Sequence, residues 1–339
     1  MVSIVPNPKP DSSARNSLPG SEEVGTKRYS FEEVNSCEMC GHATSNHKVM
    51  GQRLNQSQGF WPKRKTGVSV SVRRCSNCGL IYSSPQPVPL DLQDHYGIQP
   101  EDYWKPEYFR VEDAYFSRQI AAVKRLLPFA QNMIALDVGS GIGKGIIALE
   151  RAGFTTYGFE PSISFYQKAT AEMGVNPERL LLGSIEEVHY EDSFFDLITF
   201  GAVFEHLSHP ARNLEKALRW LKPNGIIHME VPSSRWLISK MVNLYYTFIG
   251  TDYVTNLSPM HVPFHLYEFD LRSFHALGRR LGFTVVEHYF DVCQIFYFPK
   301  FMHPLLRQFM KWTNTGMQLT VYLKKNELSE IEWSRDRRG

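Results

Sequence analysis

The chain is poor in net charge and in long apolar runs. Its 37 lysine and arginine residues are balanced by 35 aspartate and glutamate residues, and the resulting net charge of +2 argues against general binding to polyanions such as nucleic acid. The most apolar stretches, residues 236–249 and 295–309, are interrupted by charged residues, and neither reaches the roughly 18 apolar residues of a membrane-spanning helix. We therefore expect no membrane span and no nucleic-acid partner.

The N-terminus lacks the apolar segment of a secretory signal and is rich in proline, serine and glycine. These features predict a disordered leader at residues 1–28 and a cytoplasmic protein. Because cysteines stay reduced in the cytoplasm, the five cysteines are expected to be thiols or metal ligands rather than a disulfide framework. One of them, Cys293, lies among apolar residues and is expected in the core. A polar tail is predicted at residues 326–339.

From residue 131 onward, apolar runs typical of strands alternate with segments whose apolar residues recur at helical spacing. We count seven such runs. The alternation predicts an α/β domain at residues 131–325, with a mostly parallel sheet covered by helices on both faces. The aromatic segment at residues 89–130 is predicted to be a helical connector or lid.

Four cysteines form two closely spaced pairs ahead of the connector. Cys37 and Cys40 make one CxxC pair, Cys75 and Cys78 make another, and a glycine follows each pair. Two such knuckles supply the four thiolates of a tetrahedral Zn²⁺ site with no open position. We predict a structural zinc site in a small ribbon-like domain at residues 29–88. Four ordinary buried thiols are the alternative, whereas a redox pair is disfavoured because neither CxxC opens a helix after a strand.

A glycine-rich loop follows the first strand of the α/β domain. Gly139, Gly141 and Gly143 stand two residues apart directly before a helix, and Asp137 lies two residues before the first of them. A loop of this kind lets a ligand approach the backbone. The dinucleotide fingerprint GxGxxG would need glycine at position 144 or 146, where Lys144 and Ile146 stand, so the pattern does not predict a nicotinamide cofactor.

The loop resembles the first motif of class I S-adenosylmethionine-dependent methyltransferases, and the resemblance covers about residues 133–325. In that family the loop backbone lies against the methionine and ribose parts of the cofactor. Glu160 resembles the family's acid at the end of the second strand, which can accept both ribose hydroxyls. Ser184 stands where the family usually has an aspartate that binds the adenine amine. The implied cofactor-binding residues are Asp137, Gly139, Ser140, Gly141, Gly143, Glu160, Pro161, Ser184, Ile185, Phe200 and Gly201.

The run at residues 75–97, which contains the second cysteine pair, resembles the zinc-binding segment that precedes many bacterial methyltransferases of this class, including those that act on sugars of natural products and polysaccharides. The two resemblances together imply a Rossmann-like seven-stranded sheet with an antiparallel strand in a C-terminal hairpin, S-adenosylmethionine as cofactor and structural Zn²⁺. The aromatic insertion at residues 233–267 is expected to be a lid over the acceptor. The aromatic residues expected in this lid are Trp236, Tyr245, Tyr246, Phe248 and Tyr253.

Histidines are the candidate catalytic groups. Glu205 and His206 resemble the family's hydrophobic-Glu-His signature, and residues 260–269 resemble a histidine-rich acceptor loop that is thought to supply the base. The candidate bases are His206, His261 and His265. The resemblance implies methyl transfer to oxygen or carbon of a small-molecule acceptor, such as a sugar, a nucleotide-sugar or a natural-product intermediate.

Two other functions stay open at this point. The first is a catalytically idle cofactor-binding module that docks onto partners through the zinc domain, although the intact Asp137, glycine loop and Glu160 argue against it. The second is an RNA methyltransferase, suggested by Lys63, Arg64 and other basic residues near Trp61. The near-neutral charge of the chain disfavours that function.

Overall fold

The computed structural model describes residues 29–54, 69–257 and 264–326. The predicted leader at residues 1–28, the basic residues Lys63 and Arg64, and the tail beyond residue 326 lie outside these ranges. The strands of the described chain are β1 Tyr29–Glu32, β2 Lys48–Leu54, β3 Ser69–Arg74, β4 Ile81–Ser84, β5 Gln86–Pro89, β6 Ile134–Val138, β7 Thr155–Glu160, β8 Leu180–Leu182, β9 Phe195–Gly201, β10 Leu221–Pro232, β11 Tyr267–Glu268, β12 Phe283–Asp291 and β13 Gln318–Lys325. Its helices are α1 Leu92–Tyr96, α2 Pro100–Tyr103, α3 Ser117–Leu126, α4 Lys144–Arg151, α5 Ile163–Ala171, α6 Pro210–Trp220, α7 Leu237–Phe248, α8 Leu271–Leu281 and α9 His303–Thr313.

The larger sheet has seven strands in the order β12-β13-β10-β9-β6-β7-β8. The five strands from β10 to β8 in this order pair in parallel. Strand β13 lies between β10 and β12 and is antiparallel to both. The predicted Rossmann-like fold, with an antiparallel strand in the C-terminal hairpin, is confirmed. Because the strand order reverses between β6 and β9, a ligand crevice is expected at the carboxyl ends of these two strands.

Burial on both faces explains the continuous apolar runs of the central strands. Leu197 and Ile198 of β9 are adjacent in sequence and therefore point to opposite faces, yet both are fully buried. Helices cover each face of the sheet, so neither side chain meets water. Leu214 and Ala217 of α6, which lie three residues apart on one helix face, are also fully buried.

The N-terminal unit is hydrogen-bonded to a distant part of the chain. Its sheet has the order β11-β4-β3-β2, and β11 comes from the insertion that precedes α8. Strand β11 pairs antiparallel with β4. The backbone N–H of Ser83 continues this pairing by donating to the carbonyl of Leu266 at 3.0 Å. The cysteine-bearing unit is thus joined directly to the segment that carries His265.

Helices α7 and α9 belong to one apolar cluster beside the end of β12. Ile238 of α7 and Met310 of α9 are fully buried there, together with Val292 and Ile295. Neither helix is predicted from the sequence. Across the three described ranges, no helix has the length and apolar character needed to cross a membrane.

Candidate functional site

A cavity of about 740 Å³ lies at the carboxyl ends of β6, β7 and β9. This volume lies within the range of roughly 300–1,000 Å³ that is typical of small-molecule sites. One part of its wall is the glycine loop with Asp137 and Glu160, and another part contains His206 and His265. The remaining wall comes from α1, from the aromatic connector and from β5 of the N-terminal unit. The cavity therefore brings together segments that are far apart in sequence.

The glycine loop needs glycine for both conformation and space. Gly139, Gly141 and Gly143 all have positive φ, at 62°, 55° and 81°. A Cβ atom on Gly139 would lie 2.8 Å from a methyl group of Val203, and one on Gly143 would lie 2.3 Å from a methyl group of Val175. Gly139 and Gly141 line the cavity, so a ligand there meets bare backbone. Gly143 instead precedes α4 and does not line the cavity.

A further glycine, Gly145, leaves room for the Asp137 carboxylate and was not singled out from the sequence. A Cβ atom on Gly145 would lie 2.5 Å from Oδ2 of Asp137. The Asp137 carboxylate therefore occupies the space that an alanine side chain on α4 would fill. Its place in sequence, two residues beyond Gly143, was the available signal.

Two carboxylates lie buried in the loop part of the cavity. The backbone N–H groups of Gly141 and Ser162 donate to the two oxygens of Glu160 at 2.8 and 2.9 Å. Burial raises the pKa of Glu160 to about 7, and these two hydrogen bonds oppose the rise. Burial, and the nearby charge of Glu160, raise the pKa of Asp137 to about 7 as well. A pair of this kind suits a ligand that carries hydroxyl or ammonium donors.

The other predicted cofactor residues divide into two groups. Ser140, Pro161, Ser184, Ile185 and Gly201 line the cavity, whereas Phe200 does not. The Phe200 side chain is fully buried in the core, where its ring lies 5.8 Å from the ring of Phe204. Side chains of a strand alternate between its two faces, and Thr199 and Gly201 on either side of Phe200 reach the cavity instead.

His206 and His265 line the second part of the cavity, and the buried Glu205, which does not line it, lies next to His265. The Nε2 atom of His265 lies 3.8 Å from Oε1 of Glu205, and the two histidine rings are 4.8 Å apart. Nδ1 of His206 lies 2.7 Å from the carbonyl of Phe264. Because a carbonyl oxygen only accepts, Nδ1 of His206 carries the proton, and Nε2 is the basic nitrogen of the neutral ring.

Glu205 is only 2% exposed. Burial raises the pKa of Glu205 to about 8, and the negative charge of Glu230 adds to the rise. At neutral pH this carboxyl group can therefore exchange a proton with a neighbouring base. In its ionised form this carboxylate, 3.8 Å from Nε2 of His265, can stabilise a protonated imidazole.

A further histidine in the cavity, His95 of α1, was not singled out from the sequence. It is buried, and its Nδ1 atom lies 3.3 Å from the hydroxyl of Tyr29. Burial, assisted by the charge of His206, lowers the pKa of His95 to about 3. His95 is therefore neutral at physiological pH. His95 lies in the run at residues 75–97, but the resemblance of that run assigns it no role, and only the fold brings α1 to the cavity. His261, predicted as a candidate base, lies outside the described residues.

The aromatic wall of the cavity comes from the connector rather than from the predicted lid. The wall residues are Tyr96, Trp104, Tyr108, Tyr115 and Phe116. Lys144 holds the connector on the domain, because its Nζ atom donates to the carbonyl of Tyr108 at 2.8 Å and lies 3.9 Å from the centre of that ring. The predicted lid residues Trp236, Tyr245, Tyr246, Phe248 and Tyr253 do not line the cavity. These residues lie in or next to α7, which packs with α9. Of the insertion at residues 233–267, only Phe264, His265 and Leu266 among the described residues line the cavity.

The four paired cysteines come together in the N-terminal unit. Their sulfur atoms all lie within 4.8 Å of one another, and the pairs Cys37–Cys78 and Cys40–Cys75 are each separated by 3.6 Å. A tetrahedral ion with metal–sulfur bonds of about 2.3 Å places its ligands roughly 3.8 Å apart, so the donor set fits Zn²⁺.

Two further observations concern the cysteines. Gly41 and Gly79 follow the two pairs with positive φ, and their N–H groups donate to the carbonyls of Cys37 and Cys75, which gives both knuckles the same turn. Cys293, expected in the core, is only partly buried. Its sulfur lies 3.5 Å from Oε1 of Gln318, so this thiol contacts a polar group as well as apolar neighbours.

Comparison with known proteins gives one family and a set of similar folds. A family model described as a methyltransferase domain matches residues 112–288. A solved complex between the Haloferax volcanii Trm112 methyltransferase activator and a methyltransferase is 17% identical, covering 63% of this chain and 94% of that chain with a TM-score of 0.44. S-adenosylmethionine-dependent methyltransferases from Mesorhizobium loti (14% identity, 63% and 98% coverage, TM-score 0.43) and Archaeoglobus fulgidus (16% identity, 65% and 97% coverage, TM-score 0.42) are also similar. A search of curated proteins gave no match.

Proposed function

The chain belongs to this methyltransferase domain family, whose model matches more than half of the sequence, and we propose that this S-adenosylmethionine-dependent methyltransferase methylates a small-molecule acceptor with the help of a histidine base. The observation that carries the proposal is one cavity lined by the carboxylates Asp137 and Glu160 at one part and by His206 and His265 at another. The buried Glu205 lies next to His265. The cofactor and the acceptor would meet in this cavity.

The glycine-loop part of the cavity is assigned to the cofactor. When bound, S-adenosylmethionine supplies an electrophilic methyl group on a sulfonium sulfur. Glu160 would accept the two ribose hydroxyls, and its backbone hydrogen bonds to Gly141 and Ser162 hold the carboxylate in place. Ile185, which is buried and lines the cavity, would pack against the adenine ring.

His265 is assigned as the base that removes the acceptor proton. Glu205 lies 3.8 Å from its Nε2 atom and would stabilise the imidazolium that forms. His206 lies beside it and is fixed in orientation by the Phe264 carbonyl. His95 is too weakly basic for this role, because burial lowers its pKa to about 3.

The acceptor is assigned to the class of small molecules, because α1, with His95 and Tyr96, and β5 of the N-terminal unit line the cavity together with His206 and His265. Aromatic walls suit the apolar face of a sugar or another ring. The methylated atom would be an oxygen or a carbon whose proton His265 can remove. In the N-terminal unit, Cys37, Cys40, Cys75 and Cys78 would hold a structural Zn²⁺ ion.

The base assignment is tested with the variant His265→Ala. We expect kcat to fall about 100-fold, because general base catalysis typically contributes roughly 100- to 10,000-fold. The dissociation constant of S-adenosylmethionine should stay within about twofold, since the glycine-loop residues are unchanged. The measurement is transfer of a labelled methyl group to a panel of sugar nucleotides and phenols, with cofactor binding followed by calorimetry.

Two controls make the outcome specific. Added imidazole should restore part of the activity of His265→Ala, which a purely structural loss would not show. His275→Ala, in α8 and outside the cavity, should retain the wild-type kcat. Full activity in His265→Ala would contradict the base assignment, whereas cofactor binding without transfer to any acceptor would favour the idle binding module.

A further inference from the structure

Helices α7 and α9 expose large apolar side chains that no described part of the chain covers. We use the name α7–α9 surface for the exposed apolar residues of these helices and of the turn before α9. These residues and their exposed fractions are Met241 38%, Leu244 71%, Tyr245 58%, Phe248 88%, Phe301 82%, Leu305 74%, Phe309 44% and Trp312 78%. Single exposed apolar residues are common on globular proteins, whereas clustered ones mark an interaction site.

The exposed residues of α7 follow helical periodicity. Met241, Leu244, Tyr245 and Phe248 have the spacing i, i+3, i+4 and i+7, so they share one face of the helix. The first turn of α7, with Ile238, is buried in the cluster shared with α9, and the exposed apolar residues begin at Met241. In a helix that only covers a core, the outward positions are polar. The apolar outward face of α7 is therefore not needed for the packing of this chain.

The same pattern recurs at α9. Phe301, Leu305, Phe309 and Trp312 are spaced by three or four residues and are all exposed, while Met310 is fully buried. The two helices share the buried cluster, and the backbone N–H of Leu237 donates to the carbonyl of Thr315 next to the end of α9. The α7–α9 surface is thus carried by one packed pair of helices.

The charges near this surface are of one sign. Residues 292–317 contain Lys300, Arg307 and Lys311 and no acidic residue, and all three basic side chains are exposed. In the segment of α7, residues 234–257, Arg235 and Lys240 are accompanied by a single acid, Asp252. Aromatic residues beside lysine and arginine are typical of helices that lie in the headgroup region of a bilayer.

We propose that the α7–α9 surface attaches the protein to the surface of an anionic lipid bilayer, with the two helices in the plane of the headgroups. The apolar side chains would enter the acyl boundary, and Lys300, Arg307 and Lys311 would contact anionic headgroups. A second copy of the chain fits less well, because pairing two such surfaces would bring lysines and arginines of the same sign together. The proposal is independent of the acceptor and of the base.

Co-sedimentation with lipid vesicles tests the proposal. The full-length, zinc-loaded protein should pellet with vesicles of phosphatidylglycerol and phosphatidylethanolamine, and much less with vesicles of phosphatidylcholine alone. Replacing Phe248 and Trp312 by serine should weaken partitioning about 100-fold, or about tenfold for each buried aromatic side chain. Replacing Lys300 and Lys311 by glutamine should weaken partitioning about 25-fold, or roughly fivefold for each charge. Added salt should also weaken it.

Matched variants elsewhere separate this surface from general stickiness. Leu90→Ser and Val286→Ser remove exposed apolar residues elsewhere on the protein, and Lys48→Gln removes an exposed charge, so all three should bind vesicles as the wild type does. S-adenosylmethionine binding by each variant confirms that it is folded. Failure of the folded wild type to bind anionic vesicles would overturn the proposal. A different result would assign the surface to a second copy of the chain: wild-type protein that does not bind vesicles but forms a dimer in light scattering, with the dimer lost when Phe248 and Trp312 are replaced by serine.

Discussion

Glu160→Gln is expected to weaken binding of S-adenosylmethionine about 1,000-fold. Glu160 is buried in the cavity, and its two oxygens already accept the backbone N–H groups of Gly141 and Ser162. Each charge-assisted hydrogen bond to a ribose hydroxyl contributes about 2 kcal/mol, so loss of the charge at both bonds costs about 4 kcal/mol. Titration calorimetry of the two proteins measures this difference directly.

The matched control for this variant is Glu172→Gln, which removes an exposed carboxylate of the same domain that lies outside the cavity. Its affinity should stay within about twofold of wild type. Unchanged affinity in a folded Glu160→Gln protein would contradict the cofactor assignment.

The same carboxylate predicts a pH dependence of cofactor binding. Since burial raises the pKa of Glu160 to about 7 in the ligand-free protein, the ionised form that binds hydroxyls is a minor species below that pH. Affinity should therefore rise roughly tenfold from about pH 6 to about pH 8, with release of a proton on binding. Buffers of different ionisation enthalpy reveal that proton in calorimetry. In Glu160→Gln the rise should become smaller.

Loss of the zinc site is expected to abolish methyl transfer while leaving much of the cofactor binding. Cys78→Ser removes one of four convergent thiolates, and structural zinc contributes about 10 kcal/mol or more to folding of small domains. Strand β4 begins just after this knuckle and pairs with β11, next to His265. Unfolding of the N-terminal unit would therefore release the base from its position and also remove β5 from the cavity wall, so we expect activity below about one thousandth of wild type.

The zinc prediction is checked by metal analysis and hydrogen exchange. Wild-type protein should contain zinc, and Cys78→Ser should contain little. Backbone amides of β4 and β11 should exchange faster in the variant, whereas those of the central strand β9 should keep their protection. Cys293→Ser, which removes the cysteine outside the cluster, should behave as wild type in each measurement. Full activity of metal-free protein would contradict the structural role.

The α/β domain could be predicted from the sequence because its signals are local. Leu197 and Ile198 belong to an apolar run that is typical of a strand buried on both faces of a sheet. The seven strands of the sheet follow in the predicted order along the chain. Asp137 and Glu160 were found by their distance from a glycine loop whose backbone requires glycine. Each of these features depends on a few neighbouring residues, so the sequence alone contains the information.

The acceptor side could not be predicted in the same way. The lid was placed on Phe248 and its aromatic neighbours by composition, but an aromatic segment packs where complementary surfaces meet it, and here α7 packs with α9. The cavity wall is instead formed by Trp104, Tyr108 and the rest of the connector. His95 gains its role only because the fold brings α1 to the cavity. Gly145 gains its role because the first turn of α4 places it against the Asp137 carboxylate.

By itself, the sequence determined the family, the seven-stranded sheet, the glycine loop with its two carboxylates and the four-cysteine set. These features follow from periodicity and from the spacing of residues within short segments. The tertiary structure alone decided that β11 joins the cysteine-bearing unit, that Glu205 lies beside His265, and that α7 and α9 present an apolar face. Such contacts depend on long-range packing, which no local pattern encodes.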